Sequence, residues 1–430
     1  MALKRTKRDK PKTPRPLVVG KTLRQVQISV DALREGMHVV QLDRPWTEVP
    51  VLFQQFTIDS DAQLHTLRHY CHWVWVDVDS SHCDADWGRL QLELHKPIKP
   101  LPEERPLVEE LPRARAAHTK AQGYIDQLVD QIRSEQSPNV EDARPVVQEC
   151  VSSILANPNA MFWLGRIRHE DAYTAEHCVR VAILAIAFGR SLELEQPDLV
   201  TLGLCGLLHD IGKLKVPDAI LNKPASLDAE EMAVMKRHTE YGHGLLSEHH
   251  QLEPIVRDAA LSHHERIDGT GYPNAVPEWR ISRFSRIISI VDAFDAMTSD
   301  RCYRAGCSTS EALRLLYRYR GQQFDAELVE HFIRMIGVYP PGSLVELNTG
   351  EVALVLATNP NMKLTPRVEV VLDGDKRPCE SRMLDLSQHP RTEDGQTYAI
   401  KQPLPDGAYG FTLQQRIEQQ IKGMQRRSAG

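Results

Sequence analysis

The pattern of hydrophobic and polar positions changes its period along the chain. Near the N-terminus, short β-type runs such as VQISV and WVWVDV surround one polar helical segment, residues 59–69, which predicts a small α/β domain. From about residue 113 to about residue 337, apolar residues recur at helical spacing, as in CVRVAILAIAF and RIISIVDAFDAM. After Tyr339-Pro340-Pro341 the period returns to two in SLVEL, EVALVLA and RVEVVL, and a glutamine-rich helical tail follows. The pattern predicts a mainly α protein with β structure towards both ends.

These changes divide the chain into five predicted segments. A basic tail covers residues 1–24, a small α/β domain covers residues 25–95, and proline and glutamate indicate a linker over residues 96–112. An all-helical domain is expected over residues 113–338, and a β-rich extension with a C-terminal helix over residues 339–430. Many of the 18 histidines lie in the middle third of the chain, so the chemistry is expected in the helical domain.

Composition and charge exclude several classes of protein. A hydrophobic content of 41% and a charged content of 26% are typical of a globular protein, and a net charge of −6 does not indicate a nucleic-acid partner. No apolar region follows the basic start, as a secretory signal would require. The longest apolar run, residues 179–188, contains Arg180 and is too short to span a bilayer. We therefore predict a cytoplasmic protein without a membrane span.

The strongest chemical signal is the segment LLHDIGK, in which His209 and Asp210 end an apolar helix. Adjacent residues on a helix point about 100° apart, so these two side chains suit different tasks. Other histidines and one aspartate of the helical domain extend the set of candidate metal ligands to His177, His209, Asp210, His238, His263, His264 and Asp292. Imidazole nitrogens with few carboxylates suit transition metals better than Mg²⁺ or Ca²⁺. This number of donors fits two ions roughly 3.5 to 4 Å apart that share a carboxylate and a water.

A water shared by two such ions has its pKa lowered to about 7, which supplies hydroxide at neutral pH for in-line attack on phosphorus. The donor set therefore predicts phosphoester hydrolysis. The motifs GxSxG and GxxxxGK[ST] are absent from the sequence, so neither a serine hydrolase nor a P-loop enzyme competes with this interpretation.

The order H…HD…H…HH…D, with the segments HDIGK and HHERIDGTGYP, resembles the HD-GYP subgroup of the HD phosphohydrolase superfamily over roughly residues 171–337. The resemblance implies an all-helical HD-type catalytic domain in which the seven candidate ligands bind two divalent metal ions, with Asp210 bridging them. The ligand types suit Mn, Fe, Ni or Zn; we expect Fe or Mn and leave the identity open. The resemblance also implies hydrolysis of the bacterial second messenger cyclic di-GMP to linear pGpG, with GMP as a further product left open. Two alternatives remain: hydrolysis of 3′,3′-cGAMP, and a non-catalytic nucleotide-sensing or protein-docking module.

The resemblance assigns further side chains to catalysis and to the substrate phosphates. Lys213 matches a lysine near the scissile phosphate, so Asp210 and Lys213 are the expected catalytic residues. Arg301 and Arg304 match a basic pair on the substrate phosphates, which suits the arginine fork. Plainer interpretations exist, because Lys213 could be a helix-terminal cation and the two arginines could be solvated charges.

The segment HHERIDGTGYP also implies a substrate loop. Gly271 and Tyr272 match the part of the loop that lies beside the substrate. As a structural alternative, the loop is a chain reversal in which Gly269 and Gly271 supply positive φ angles. We expect Glu265 and Asp268 to shape the loop or to support the ligands rather than to bind metal.

Some HD-GYP members hold a third metal through a glutamate one helical turn before the first histidine. Here that position is Tyr173, with Asp171 two residues earlier, so we expect two metals. The resemblance also implies GGDEF-domain proteins as partners and leaves a homodimer open. Residues 26–78 resemble a domain of unknown function that often precedes HD-GYP domains, and no receiver-domain pattern is present.

Overall fold

The computed structural model describes residues 25–42, 56–71, 73–78, 80–83, 103–167, 173–299, 306–359, 362 and 364–428. The predicted basic tail, residues 1–24, lies outside this part of the chain. The chain forms two compact units, Met1–Pro97 and Ile98–Gly430.

Over its described residues, the first unit contains a four-stranded antiparallel sheet and one α-helix, and the strand order is β1-β4-β2-β3. Alternate side chains of a strand share a face, so Val26 and Ile28 of β1 enter one buried cluster with Val74 and Val76 of β4. Leu67 of α1 belongs to the same cluster. The elements are β1 (Gln25–Ser29), β2 (His38–Leu42), β3 (Phe56–Thr57), α1 (Asp61–Tyr70) and β4 (Trp73–Asp77).

The second unit begins with a helical region that contains the predicted helical segments. Among the described residues, no helix is long and apolar enough to cross a bilayer. The helices are α2 (Leu107–Arg133), α3 (Ala143–Ala156), α4 (Pro158–Leu164), α5 (Tyr173–Ser191), α6 (Gln196–Leu208), α7 (Asp218–Leu221), α8 (Ala229–Lys236), α9 (His238–Ser247), α10 (Pro254–Ser262), α11 (Arg283–Thr298), α12 (Thr309–Tyr319) and α13 (Ala326–Ile336).

Helices α5 and α6 form the centre of this region. Both are apolar around most of their circumference, as expected for helices in the middle of a domain. A Cβ atom on Gly206 would lie 2.8 Å from the Cα atom of Ala182, so this glycine lets the two helices approach closely. The ends of these central helices therefore have fixed positions relative to each other.

A five-stranded antiparallel sheet follows, with the strand order β8-β7-β6-β5-β9. Alternate residues of β6 face two different cores: Leu354 joins the core of the helices, whereas Val355 joins a smaller core on the other face. In the last helix, Leu413 and Ile417 are one turn apart and also enter the helical core. These elements are β5 (Leu344–Leu347), β6 (Val352–Ala357), β7 (Arg367–Leu372), β8 (Pro378–Asp385), β9 (Ile400–Leu404) and α14 (Leu413–Ser428).

The predicted linker over residues 96–112 extends too far, because α2 already begins at Leu107 and contains Pro112. Tertiary contacts outweigh the local preference of proline here. Leu111 is fully buried, and the buried Glu110 pairs with Arg105 at 3.2 Å. Sequence reasoning also missed β8 and β9, the two edge strands of the sheet, because their outer residues do not alternate in polarity.

Truncating Leu354 of β6 to alanine creates a cavity and tests whether the sheet and the helices share one core. Leu354 is 1% exposed, so Leu354→Ala should lower the free energy of unfolding by about 2–5 kcal/mol. Met383 of β8 is 69% exposed, and Met383→Ala should change it by less than about 0.5 kcal/mol. Urea unfolding followed by far-UV circular dichroism measures both. Equal stabilities of the two variants would contradict the shared core.

Candidate metal centre

Five helices bring the seven predicted ligands to one place in the helical region. His177 lies in α5, His209 and Asp210 directly follow α6, His238 begins α9, His263 and His264 directly follow α10, and Asp292 lies in α11. Their donor atoms form two groups, each within 4.8 Å: one of His177, His209, Asp210 and Asp292, and one of His238, His263 and His264. We call these the first group and the second group.

Asp210 stands between the two groups, with one carboxylate oxygen towards each. Its Oδ2 lies 3.4 Å from Nε2 of His177 and 3.2 Å from Nε2 of His209 in the first group. Its Oδ1 lies 3.4 Å from Nε2 of His238 and 3.7 Å from Nε2 of His263 in the second group. The carboxylate is buried, so it is shielded from bulk water on both sides. The arrangement is that of a carboxylate able to bridge two cations.

Hydrogen bonds on the outer side of the rings fix the orientation of the histidines. In His209, His238 and His263, Nδ1 contacts the backbone carbonyl oxygen of a residue three or four positions earlier, at 2.8, 2.8 and 3.0 Å. A carbonyl oxygen only accepts, so Nδ1 donates a proton, and in the neutral form of each ring Nε2 carries the lone pair. That lone pair points towards the carboxylate of Asp210, where a metal ion could bind.

Two buried polar atoms at the centre of the cluster indicate that a cation belongs there. Nε2 of His209 and Oδ1 of Asp210 are buried and have no hydrogen-bond partner in the part of the chain that the structure describes. Leaving such an atom without a partner costs about 1–3 kcal/mol. A divalent cation bound by these lone pairs would remove that cost. Imidazole nitrogens and carboxylate oxygens match the ligand preference of Fe, Mn or Zn, so the residues present fit a metal centre.

The electrostatics of the cluster keep its carboxylates ionised and divide its histidines into two kinds. Burial lowers the pKa of His177 and His209, but Asp210 and Asp292 outweigh burial: the pKa of His177 lies well above its ordinary value and that of His209 is about 9, so both rings release a proton when a metal ion binds. Burial raises the pKa of Asp210 and of Asp292, but neighbouring histidines outweigh burial and hold both carboxyls well below their ordinary pKa. Burial lowers the pKa of His263, and it lowers that of His264 to about 3, so both rings are neutral. Ionised carboxylates and neutral imidazoles are the forms that bind a metal ion.

A tight turn places Lys213 beside the shared carboxylate. In the 3₁₀ turn Ile211–Lys215, Nζ of Lys213 lies 2.5 Å from Oδ2 of Asp210. Gly212 lets this turn pack directly on α9, because a Cβ atom there would lie 1.9 Å from the carbonyl oxygen of His238. The glycine of HDIGK therefore sets the distance between Asp210 and the start of the second group.

The GYP loop packs against the second group. The ring of Tyr272 lies 4.7 Å from the ring of His264, centroid to centroid, with 30° between their planes. Gly269 has a φ of 73°, as expected for a glycine of a chain reversal. Gly271 does not have the expected positive φ. It is required for space, since a Cβ atom there would lie 2.4 Å from the backbone nitrogen of Arg266.

Two carboxylates hold the loop in shape, as expected for Glu265 and Asp268. The carboxylate of the buried Glu265 accepts hydrogen bonds from the backbone N–H groups of Asn274 at 2.7 Å and Val276 at 3.2 Å. Asp268 accepts one from the backbone N–H of Thr270 at 3.1 Å. Both side chains therefore act on the loop and lie outside the two groups of donors.

Three residues named from the sequence, Arg301, Arg304 and Asp171, lie outside the described residues. Tyr173 is the first residue of α5. The roles expected for the two arginines, and the choice of two metals over three, therefore stay predictions.

Sequence reasoning missed Asp295 and Arg180, which support His177. Oδ2 of Asp295 lies 2.7 Å from Nδ1 of His177, and Nε of Arg180 donates to Oδ1 of Asp295 at 2.8 Å. Burial raises the pKa of Asp295, but Arg180 and His177 lower it to about 2. A signal was present, because Asp295 follows Asp292 by three positions and Arg180 follows His177 by three. Such spacing places each pair on one face of its helix.

A helical domain that holds two groups of histidine and aspartate donors around one shared carboxylate is typical of a metal-dependent hydrolase. Family models match three parts of the chain. An HD domain matches residues 158–328, a domain of unknown function (DUF3391) matches residues 25–143, and a KOW domain associated with HD domain matches residues 344–392.

Known proteins resemble the chain to different extents. A cyclic di-GMP phosphodiesterase of Pseudomonas aeruginosa is 36% identical over 374 residues, which are 85% of this chain and 90% of that protein. A 3'3'-cGAMP-specific phosphodiesterase of Vibrio cholerae is 36% identical over 171 residues, 40% of this chain and 37% of that protein. The solved structure of an HDG"Y"P protein from Bdellovibrio bacteriovorus is 18% identical and covers 72% of this chain and 98% of that chain, with a TM-score of 0.44.

The chain belongs to the HD-GYP family of metal-dependent phosphodiesterases in the HD superfamily. The predicted family, the mainly α fold class with sheets in the N-terminal and C-terminal regions, and the predicted enzyme class are confirmed.

Replacing glycine by alanine should have opposite effects on the free energy of unfolding at Gly212 and at Gly244, which lie in neighbouring elements. Gly212→Ala should lower the free energy of unfolding by about 1–3 kcal/mol, because the new methyl group meets the backbone of His238. Gly244 lies inside α9 with no atom within 4 Å of a Cβ, so Gly244→Ala should raise it by about 0.5–1 kcal/mol. Chemical unfolding measures both values. A Gly212→Ala variant as stable as the wild type would rule out the described packing of the turn.

Proposed function

We propose that this protein hydrolyses cyclic di-GMP to linear pGpG with the help of two divalent transition-metal ions. The observation that carries the proposal is the position of Asp210, whose two carboxylate oxygens face the two groups of donors. A second hydrolysis that yields GMP is a further step of the same chemistry. Hydrolysis of a cyclic dinucleotide, rather than of another phosphodiester, is supported by the relatives from Pseudomonas aeruginosa and Vibrio cholerae.

The first group would hold one ion through His177, His209, Asp210 and Asp292. The second group would hold the other through His238, His263 and His264, with Asp210 shared. A nitrogen-rich donor set of this kind suits Fe or Mn. When bound, such a pair supplies Lewis acidity and a hydroxide nucleophile at neutral pH.

Lys213 places a cation beside the shared carboxylate in the turn after α6. Its ammonium group is 2.5 Å from Asp210, and its side chain is 23% exposed, so a substrate phosphate can reach it. A fixed positive charge at this position stabilises the negative charge that develops on the phosphate during attack. Lys213 therefore serves catalysis directly in this proposal.

Tyr272 and Gly271 form the side of the site next to the second group. The ring of Tyr272 is held against His264, so it offers a fixed aromatic surface beside the donors. Aromatic rings of this kind bind nucleobases by stacking. Arg301 and Arg304 are proposed to bind the phosphates, since guanidinium groups make paired hydrogen bonds to phosphate oxygens.

Cyclic di-GMP is the preferred substrate in this proposal, because the relative that acts on it is similar over 85% of this chain. One 3'3'-cGAMP-specific relative is similar over 40% of this chain, and another is similar over 64% of it at 28% identity. Pairing with GGDEF-domain proteins, formation of a homodimer and a cytoplasmic location stay predictions.

A direct assay tests the substrate and the dependence on metal. Purified protein is incubated with Mn²⁺ or Fe²⁺ under reducing conditions, with cyclic di-GMP and separately with 3′,3′-cGAMP, and the products are chromatographed. We expect pGpG from cyclic di-GMP at a higher rate than any product from cGAMP. Asp210→Asn should lower the rate at least about 100-fold, since it removes a preorganised charge at the centre of the site. A wild type inert towards both nucleotides would refute hydrolysis, and faster cleavage of cGAMP would favour the alternative substrate.

The role of Lys213 is tested against a second lysine of the same turn. Lys213→Gln should lower kcat/KM by about 10²–10³-fold, the loss typical of one electrostatic contact to the transition state. Lys215 is exposed at the end of the turn, so Lys215→Gln should leave kcat/KM unchanged. Steady-state kinetics with cyclic di-GMP measure both. Equal rates for the two variants would show that Lys213 is only a structural cation.

A further inference from the structure

The imidazole of His177 is held from behind by a carboxylate. Nδ1 of His177 lies 2.7 Å from Oδ2 of Asp295, while its Nε2 lies 3.1 Å from Oδ1 of Asp292. Both His177 and Asp295 are buried. Asp295 therefore contacts the ring on the side opposite the donors of the first group, and does not belong to that group itself.

Arg180 fixes the carboxylate of Asp295. Its Nε donates to Oδ1 at 2.8 Å and its Nη2 donates to Oδ2 at 3.1 Å, which is a two-point contact. The same guanidinium donates to Glu176 at 3.3 Å and to the hydroxyl of Ser299 at 3.1 Å. A carboxylate held at both oxygens cannot rotate freely, so it presents Oδ2 to His177 in one orientation.

The other ligand histidines are supported differently. His209, His238 and His263 use Nδ1 to donate to backbone carbonyl oxygens. Among the ligand histidines with a described Nδ1 hydrogen bond, His177 alone has a carboxylate there. A carboxylate partner makes an imidazole a stronger metal donor than a neutral carbonyl does, and it fixes the tautomer. The two groups therefore differ in donor strength.

The contacts of Asp295 are not readily explained as a device for stability. Replacing a buried ion pair with apolar residues is often neutral or stabilising, so such a pair is weak evidence for a stabilising role. Instead, the ion pair of Arg180 and Asp295 contacts the imidazole ring of His177, one of the candidate metal ligands. The first group also contains the carboxylate of Asp292 and shares Asp210, whereas the second group, among the described residues, has only the shared Asp210.

We propose that Asp295, held by Arg180, is a positioning residue for His177 that makes the first group the tighter of the two metal sites. The inference rests on the proposed function, because it requires both groups to bind metal. Removing such an outer partner typically weakens metal binding by about 10–100-fold. The hydrogen bonds described above join this pair to His177, Glu176 and Ser299, which lie outside the second group, so the affinity of the second group should not change.

Two variants, each with one donor group impaired, allow the metal affinity of each group to be measured separately. His263→Ala impairs the second group and reports on the first, and Asp292→Ala does the reverse. Apo protein of each background is titrated with Mn²⁺ by isothermal calorimetry, and bound Mn is measured by elemental analysis. Added to the His263→Ala background, Asp295→Asn should weaken binding by about 10–100-fold. Added to the Asp292→Ala background, it should change nothing.

The matched control removes a buried carboxylate that pairs with an arginine in the C-terminal region, outside both groups of donors. Glu369 of β7 is buried and pairs with Arg416 of α14, so Glu369→Gln should leave both affinities unchanged. Asp295→Asn with wild-type affinity in the His263→Ala background would overturn the inference, as would equal losses in both backgrounds. If Asp295→Asn does not fold, Arg180→Lys keeps the charge but loses the two-point contact. Wild-type Mn²⁺ affinity of that variant's first group overturns the inference equally.

The proposed function fails in a different way. A folded wild type that binds no Mn²⁺ or Fe²⁺ refutes the metal centre itself, and the inference with it. A wild type that binds two ions and hydrolyses cyclic di-GMP, beside an Asp295→Asn variant with unchanged affinities, refutes the inference alone.

Discussion

The site depends on one buried carboxylate that must serve two groups of donors at once. Asp210 can do so because a tight turn follows α6 and presses its backbone onto α9 through Gly212. The carboxylate is ionised although it is buried, which requires compensating positive charge on both sides. Lys213 supplies part of that charge, and the atoms of His209 and Asp210 that lack partners within the described residues show where more is needed. The helices around the site can be understood as the frame that keeps these distances.

The family resemblance is strong because the signature residues serve both the metal chemistry and the backbone. Histidines at helix ends can point their Nε2 atoms inward while their Nδ1 atoms donate to the carbonyl oxygens of the preceding turn. Gly212 and Gly271 are needed for space, independently of any substrate. The loop after His264 is held by Glu265, which accepts from two backbone N–H groups at once. A substitution at any of these positions would therefore change the backbone packing or the orientation of the ligands, in addition to any direct effect on metal binding.

Much of the site could be predicted from the sequence, since an HD pair among several histidines of one helical domain matches the donor set of a metal centre. The division of the ligands into two groups could not be predicted, because it depends on distances between helices that are far apart in the sequence. Asp295 was missed for a related reason: an aspartate one turn from a ligand looks like a solvated charge until its burial is known. The edge strands β8 and β9 were missed because an exposed strand lacks the alternation that marks a half-buried one. The end of the linker was misplaced because the burial of Leu111 outweighs the proline next to it.

The C-terminal sheet and helix α14 share their apolar residues with the helical region. A chain cut after residue 338 would therefore leave the surface that normally contacts Leu344, Leu354, Leu413 and Ile417 open to solvent. Such a fragment would be prone to aggregation, because large exposed apolar patches promote association. The segment that contains the candidate metal ligands is thus shorter than the segment needed for a stable fold. Expression of the helical region alone would require polar substitutions on the apolar surface that the C-terminal sheet and α14 normally cover.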